Sequence, residues 1–547
     1  MSSSHPETRL PAEAQLGQAL ARGRDRLAGR VPTTLTLPVV IGVPMALSAV
    51  LCLFAISGRS LGFDEAATVT IASQHGSALG AAIAHDGGNM SGYYLLLHVL
   101  INWFGNSELV LRLPSAIAGV VTVGAIAAIA DRLFGRLAAL YAGILCAVSL
   151  PLVFWAQNAR GYALMVALVC IAYLAFLSLV DPPPGPERSG RHPDRRLWVV
   201  YVLSMTLATY ASFVAVLVIA AQVVALLPRR RRRRLLPFSA AVAAYGVLCT
   251  PLIVLALQRG SGQLFWVPAP TREVERQVIE SLTSAGQQPS FHDTPLSMVL
   301  AVVTMVALIA ISLQLWRAAR RGDRVWARGA TLAWLAVPSL LSFGYSLIAQ
   351  PFFLPRNLLM SVPAVALLLG AALAGPRMPR RTGLVLFLVL VVLRGAQVVP
   401  AYAVSPEPWQ QAAAQVLQRT RPGDCIAFYP LDARMAFQYF FSRMSTPGFG
   451  APREILPIAP WTSTQIFVER YYTLSEAQIA RRAEGCRRLW FISSHEGQRN
   501  GPPKSRDHRA RFLSLRVRLQ DVFGHARVDQ LGYAAAIHVQ LLPGPVR

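Results

Sequence analysis

"LGFDEAATVTIASQHGSALGAAIAHDGGNMSGYYLLLH", residues 61–98, follows directly on the first long apolar run of the chain. It holds the adjacent acids Asp64 and Glu65, then Asp86 beside His85. Asp and Glu supply only 27 of 547 residues, so three of them at the exit from an apolar run mark a place where negative charge is wanted. What surrounds the stretch decides what that place is.

The chain is 54% hydrophobic and 14% charged, against about 25% charged in an ordinary soluble domain. Several apolar runs reach the roughly 20 residues that cross a bilayer. The fold class is therefore a polytopic α-helical membrane protein. The formal net charge of +25 would point to nucleic acid if it lay on one soluble face. Here the arginines gather in short loops between apolar runs: "RRRRRR" at 229–234, "WRAARRGDRVWARG" at 316–329 and "GPRMPRR" at 375–381. That is the positive-inside pattern. These runs lack the interleaved aromatics of a strand-binding groove, so no nucleic-acid partner is expected.

With the arginine-rich loops inside, the chain threads as follows. Residues 1–34 are a polar cytoplasmic segment carrying Arg22, Arg24, Arg26 and Arg30, followed by an uncleaved first span at 35–57. A first outer loop covers 58–106. Further spans are read at 107–131, 137–156 and 163–180, then an out-and-back pair over 197–227. The last five are 236–257, 296–315, 330–349, 357–374 and 382–402. That makes about eleven spans, with the N-terminus inside and the C-terminus outside. The segment 92–105, "GYYLLLHVLINWFG", is too short to cross and is read as a helix along the outer interface, with Tyr93, Tyr94 and Trp103 at headgroup level.

From 403 to 547 the character changes. Polar helical segments such as "PWQQAAAQVLQRT" alternate with the strands "CIAFY", "RLWFISS" and "AAAIHVQLL", which implies a small extracytoplasmic α/β domain after a membrane domain at 35–402. Cys52, Cys146, Cys170 and Cys249 sit in apolar runs as core residues. Cys425 and Cys486 lie in the tail, where an oxidising exterior makes a disulfide plausible and a free pair equally so.

Threading puts Asp64, Glu65, His85 and Asp86 on the same face as Gln157, Arg160, Tyr162 and Arg356. Alone, an Asp-Glu pair serves solubility, an arginine anchors an interface, and His75, His85 and His98 are interfacial residues or metal ligands. Together they suit glycosyl transfer from a lipid-linked phosphosugar. A carboxylate deprotonates the acceptor hydroxyl, and arginines hold the leaving phosphate through forked, permanently charged donors.

At these residues the chain resembles the GT-C superfamily of polyprenyl-phosphate-sugar glycosyltransferases, and within it the branch of protein O-mannosyltransferases and aminoarabinose transferases. "HDGGNMSGYYLLLH" is similar to that branch's His-Asp-x-x-Pro-Pro-Leu-Tyr-Tyr segment, and "ELVLRLPSAIAG" to its Arg-x-Pro-Ser helix start. "QNARGYAL" is similar to its Gln-x-x-Arg-x-Tyr motif, "PRNLLMSVP" to its later Arg-Tyr motif, and "PEPWQQAAAQVLQRTRPGD" to the tail of bacterial members. The resemblance implies Asp64 as catalytic base, Glu65 in the acceptor or metal shell, Asp86 as a second loop acid, and Arg160 and Arg356 on the donor phosphate. His85, Tyr93, Gln157 and Tyr162 are the expected substrate contacts. Two departures stand out: Asn89-Met90-Ser91-Gly92 replaces the Pro-Pro pair, and Asn357 replaces the tyrosine after Arg356.

The expected reaction is inverting transfer of a sugar from a polyprenyl-phosphate donor to a cell-envelope glycan or glycolipid, such as lipoarabinomannan, at the outer face of the plasma membrane. Lys504 is the single lysine. That bias points to a GC-rich, actinobacterial genome and hence to mannose. Arabinofuranosyl transfer and protein O-mannosylation are the near alternatives. Some superfamily members bind a divalent metal and others do not, so metal dependence stays open. A lipid or solute transporter, the alternative from another class, should show half-repeats or ionisable residues near the midplane, and the polar residues gather at span ends instead. A scaffold acting through its tail is the remaining reading.

Overall fold

The computed structural model describes residues 35–181, 195–228, 232–260, 264–284, 295–318, 323–446, 449–456, 475–533 and 536–544. The segment 1–34, most of the Pro- and Arg-rich loop 181–196 and part of the six-arginine loop lie outside the described residues.

The expected eleven spans are too many. Among the described residues six helices are long and apolar enough to cross a membrane, and eight spans result if each of two bent helix pairs counts as one. The helix Leu37–Leu53 has 17 residues, about 26 Å at 1.5 Å per residue, just short of a ~30 Å hydrocarbon core. The pair expected over 197–227 breaks into Arg195–Ala211, a short 3-10 turn and the ten-residue Leu217–Leu226. Arg136–Ala147 bends by 60° into Leu150–Ala156, and the helix ending at Leu248 bends by 55° into Thr250–Arg259. Each second half carries a proline in its first turn, Pro151 and Pro251. A proline there lacks the N–H that would continue the ladder from the preceding helix. The full spans are Glu108–Phe134, Tyr162–Val180, Pro295–Arg317, Val325–Ile348, Pro355–Leu373 and Arg380–Ala401.

Residues 92–105 form the helix Ser91–Phe104. Its 14 residues reach about 21 Å and do not cross. Tyr93 and Tyr94 are fully buried in protein, while Trp103 is 76% exposed. The expectation of headgroup tyrosines is thus corrected. Their hydroxyls find protein partners, Ser115 Oγ at 2.8 Å for Tyr93 and Asp86 Oδ2 at 2.7 Å for Tyr94.

After Ala401 the chain builds a five-stranded sheet, β1 (Asp424–Tyr429), β2 (Arg453–Leu456), β3 (Arg488–Ser493), β4 (Val528–Leu531) and β5 (Ile537–Leu542), in the order β2-β1-β3-β5-β4. β1 runs parallel to β2 and β3, and β5 antiparallel to β3 and β4. Alternate side chains separate the two faces. Cys425, Ala427, Leu489 and Phe491 pack with Phe512, Leu515 and Leu519 of the helix Pro503–Phe523. Ile426, Phe428, Trp490 and Ile492 belong to the main core that continues into the membrane helices. Cys425 and Cys486 are disulfide-bonded, which ties the start of β1 to the turn before β3.

This sheet unit sits on the first loop. Glu407 Oε2 accepts a hydrogen bond from the Phe63 amide at 2.6 Å, Ser405 Oγ accepts one from the Ser60 amide at 2.9 Å, and the Tyr439 hydroxyl donates to the Asn106 carbonyl at 2.8 Å.

Candidate active site

The opening stretch folds as the buried helix Phe63–Ala72. Gly62, extended at φ −76°, precedes it, and Glu65 Oε2 reaches back to accept from the Gly62 amide at 3.0 Å. Two acids in the first turn also complement the positive end of the helix dipole. Neighbours in sequence, Asp64 and Glu65 then part company.

Glu65 turns into the protein. Arg112 donates to it twice, Nε to Oε1 and Nη2 to Oε2, both at 2.9 Å, and the Ala159 amide donates to Oε1 at 2.8 Å. Burial raises the Glu65 carboxyl pKa, but Arg112 and these amides outweigh it and hold the group below the ordinary carboxylate value. The remaining Arg112 donors reach the carbonyls of Ile56, Arg59 and Ser60 at 2.8–3.2 Å. Both side chains are all but inaccessible, at 1% and 3% exposure. With four donors on its two oxygens, Glu65 frames the loop rather than standing in an acceptor or metal shell.

Asp64 faces outward. Its Oδ2 pairs with Arg356 Nη1 at 2.7 Å. Arg160 Nη1 donates to Thr68 Oγ1 at 3.0 Å and to the Asp64 carbonyl at 3.3 Å, which sets the Arg160 guanidinium beside the same helix turn. Burial raises the Asp64 pKa, but Arg160, then Arg356 and His495, hold the carboxyl below its usual value. Arg356 also lies over the Trp266 ring, 5.1 Å from its centroid. The departure at Asn357 therefore leaves Arg356 with partners, and Asn357 itself donates to the Phe352 carbonyl at 2.8 Å.

Asp64, Arg160 and Arg356 line one cavity of about 1230 Å³, together with Asp86, Tyr162 and Trp266. Asp86 is 6% exposed and accepts from the Tyr94 hydroxyl. The turn after it needs no Pro-Pro pair. Gly87 and Gly88 take left-handed φ of +69° and +78°, and a Cβ on Gly87 would stand 2.9 Å from Arg259 Cβ. Glycine is the residue that adopts this backbone without cost.

Three expected substrate contacts do not line this cavity. His85 ends the helix Gly76–His85, half-buried and outside the cavity wall. Tyr93 is spent on Ser115 Oγ and the Leu111 carbonyl. Gln157 donates to the Phe54 carbonyl at 2.6 Å and the Cys52 carbonyl at 3.1 Å, closing the end of the first helix. A buried amide or phenol must satisfy its donors, and protein carbonyls were nearer than the cavity.

The sequence reading missed the upper wall. Glu407, Asp432, His495, Glu496 and His538 of the sheet unit line the same cavity. It also missed Arg112, whose signal was visible: an arginine inside the apolar run "ELVLRLPSAIAG" needs an acid. Among the described residues no group of three or more His, Cys, Asp or Glu side chains is arranged to hold a metal ion.

The fold, a helical body followed by a small C-terminal sheet unit, is similar to that of solved structures. The apo structure of ArnT from Cupriavidus metallidurans matches with a TM-score of 0.54 at 14% identity, over 92% of this chain and 99% of that one. ArnT from the same organism bound to undecaprenyl phosphate matches with a TM-score of 0.52 at 15% identity, over the same shares. Residues 90–256 match the family model described as dolichyl-phosphate-mannose-protein mannosyltransferase. The chain shares the fold of ArnT. A weaker likeness, TM-score 0.44 at 15% identity, extends to the arabinofuranosyltransferase AftD from Mycobacteria, over 93% of this chain and 40% of that one. A search of curated protein sequences finds no significant match.

Proposed function

We propose that this protein is a GT-C inverting glycosyltransferase that moves mannose from a polyprenyl-phosphate donor to a cell-envelope glycan or glycolipid such as lipoarabinomannan. The observation that carries the reading is the 2.7 Å pair between Asp64 and Arg356 in the wall of one large cavity. It puts a proton acceptor next to a phosphate binder. In the reaction the acceptor hydroxyl gives its proton to Asp64 while its oxygen bonds to the anomeric carbon. The bond from that carbon to the donor phosphate oxygen breaks, and polyprenyl phosphate leaves with its added negative charge held by Arg356 and Arg160. Glu65 keeps Asp64 in place through Arg112, and Asp86 and Tyr162 border the substrates. Asp64, Glu65 and Asp86, with Arg160 and Arg356, remain the proposed functional residues.

The outer face of the plasma membrane is the proposed location. The arginine-rich loops favour it, and so does the Cys425–Cys486 disulfide, because such bonds persist in oxidising compartments. The matching family model, whose description names a dolichyl-phosphate-mannose donor and a protein acceptor, favours mannose and supplies the second reading, protein O-mannosylation. Purified chain in proteoliposomes, given polyprenyl phosphates carrying radiolabelled mannose or arabinose with envelope glycolipid or a Ser/Thr-rich peptide, tests both. Mannose label on glycolipid supports the first reading and mannose label on peptide the second, while transfer of arabinose alone, or no transfer from either donor, refutes both.

A further inference from the structure

The sheet unit sends one residue into the cavity in a conformation its chemistry does not favour. His495 lies just after β3 and has a left-handed backbone, φ +50°, uncommon for a residue other than glycine. Backbone of this kind persists where surrounding structure enforces it, and it clusters at functional sites. Here buried His508 supplies that support, with its Nε2 2.9 Å from the His495 carbonyl. The kink turns the imidazole onto the Phe63 ring, with centroids 4.5 Å apart, and Phe63 immediately precedes Asp64. Ser494 Oγ lies 2.9 Å from Nδ1. Nε2 is 3.7 Å from Glu407 Oε1, beyond hydrogen-bond length. The side chain is 37% exposed and lines the cavity.

The opposite side of the cavity is membrane helices and the arginines, where a lipid-linked phosphate belongs. What meets the sheet unit is the other substrate. Resting on the proposed glycosyltransferase function, we infer that His495 is a positioning residue for the acceptor: its Nε2 holds the acceptor hydroxyl against Asp64. The sheet unit thereby completes the active site. An acceptor bound through a neutral hydroxyl, as on a glycan or a Ser/Thr side chain, fits this wall, which sets Glu407, Asp432 and Glu496 beside Arg509 and His538.

The test uses His495→Gly, which keeps the left-handed backbone without cost and removes only the ring, beside His495→Asn, which tolerates that backbone and restores a hydrogen-bonding group. Full-length protein in proteoliposomes is assayed with whichever labelled polyprenyl-phosphate sugar and acceptor the parent uses, and bare polyprenyl phosphate binding is measured separately. His495→Gly should keep polyprenyl phosphate affinity within twofold and thermal stability at or above the parent's. The acceptor KM should rise about tenfold or more, and His495→Asn should recover part of it. An unchanged acceptor KM in His495→Gly overturns the inference and leaves the proposed function standing, and so does a loss confined to donor binding. A parent chain that transfers no sugar overturns both.

Discussion

Arg356 Nη1 stands 2.7 Å from Asp64 Oδ2, joining residues 292 apart in the chain. The pair couples the proposed base to a proposed phosphate-binding arginine, so a donor phosphate that draws the guanidinium away would take Asp64's closest cation from it. Loss of the guanidinium partner lets the Asp64 pKa rise, and the residue becomes a better proton acceptor when the donor is seated.

Asp64→Asn keeps shape and removes both the proton acceptor and the competitor for Arg356. Turnover should fall roughly 10²–10⁴-fold, while affinity for polyprenyl phosphate holds or improves. Near-parental turnover would remove Asp64 from the base role. A dead Asp86→Asn beside it would move that role to Asp86.

Arg160→Ala and Arg356→Ala should each weaken polyprenyl phosphate binding by about 1.5–3 kcal/mol, the usual worth of a hydrogen bond to a charged group. Arg356 also releases Asp64 when removed, so its measured loss should be the smaller. Equilibrium binding of labelled polyprenyl phosphate checks this, and full affinity in both variants places the phosphate elsewhere.

Asp64, Arg160 and Arg356 were legible because each stands at the end of an apolar run, and alternating topology brings such ends together. What was not legible depended on contacts without local pattern. Glu65 looks like Asp64 in sequence, and only Arg112, 47 residues on, separates their roles. The Phe63 amide meets Glu407 across 344 residues, so nothing near either residue announces that the sheet unit roofs the cavity. The span count failed for two readable reasons: Pro151 and Pro251 sit where the bent helices break, inside runs taken as continuous, and the apolar runs at 35–57 and 197–227 fold as helices of 10 to 17 residues.

Because Arg112 and Glu65 are buried and mutually saturated, Arg112→Ala or Glu65→Ala leaves one charge uncompensated and should cost about 3–5 kcal/mol. Glu65→Gln keeps part of the hydrogen bonding and should cost less. Thermal unfolding in detergent reads the difference. Inactive Glu65→Gln protein of parental stability would instead return Glu65 to the chemistry.

The last expectation concerns acid. His508 is 3% exposed, and burial first of all lowers its pKa from 6.5 to about 4, the His495 carbonyl opposing that shift. Tyr429, His495, Asp507 and Arg511 are the titratable and charged groups around it. Above about pH 6.5 His508 is neutral in both folded and unfolded chain and adds no pH dependence. Between about 6.5 and 4 the unfolded chain takes up a proton that the folded chain refuses, so stability falls as pH falls through that window, on the order of 1–3 kcal/mol. Asp64 and Glu65 act lower: their folded pKa values lie below the ordinary carboxylate range, so what they contribute is present above about pH 4 and is lost only beneath it. His508→Gln removes the titration and keeps a donor for the His495 carbonyl. Its tryptophan-monitored melting temperature should therefore change less than the parent's between pH 6.5 and 4.5, and parallel curves for the two proteins would show that His508 does not carry the acid sensitivity.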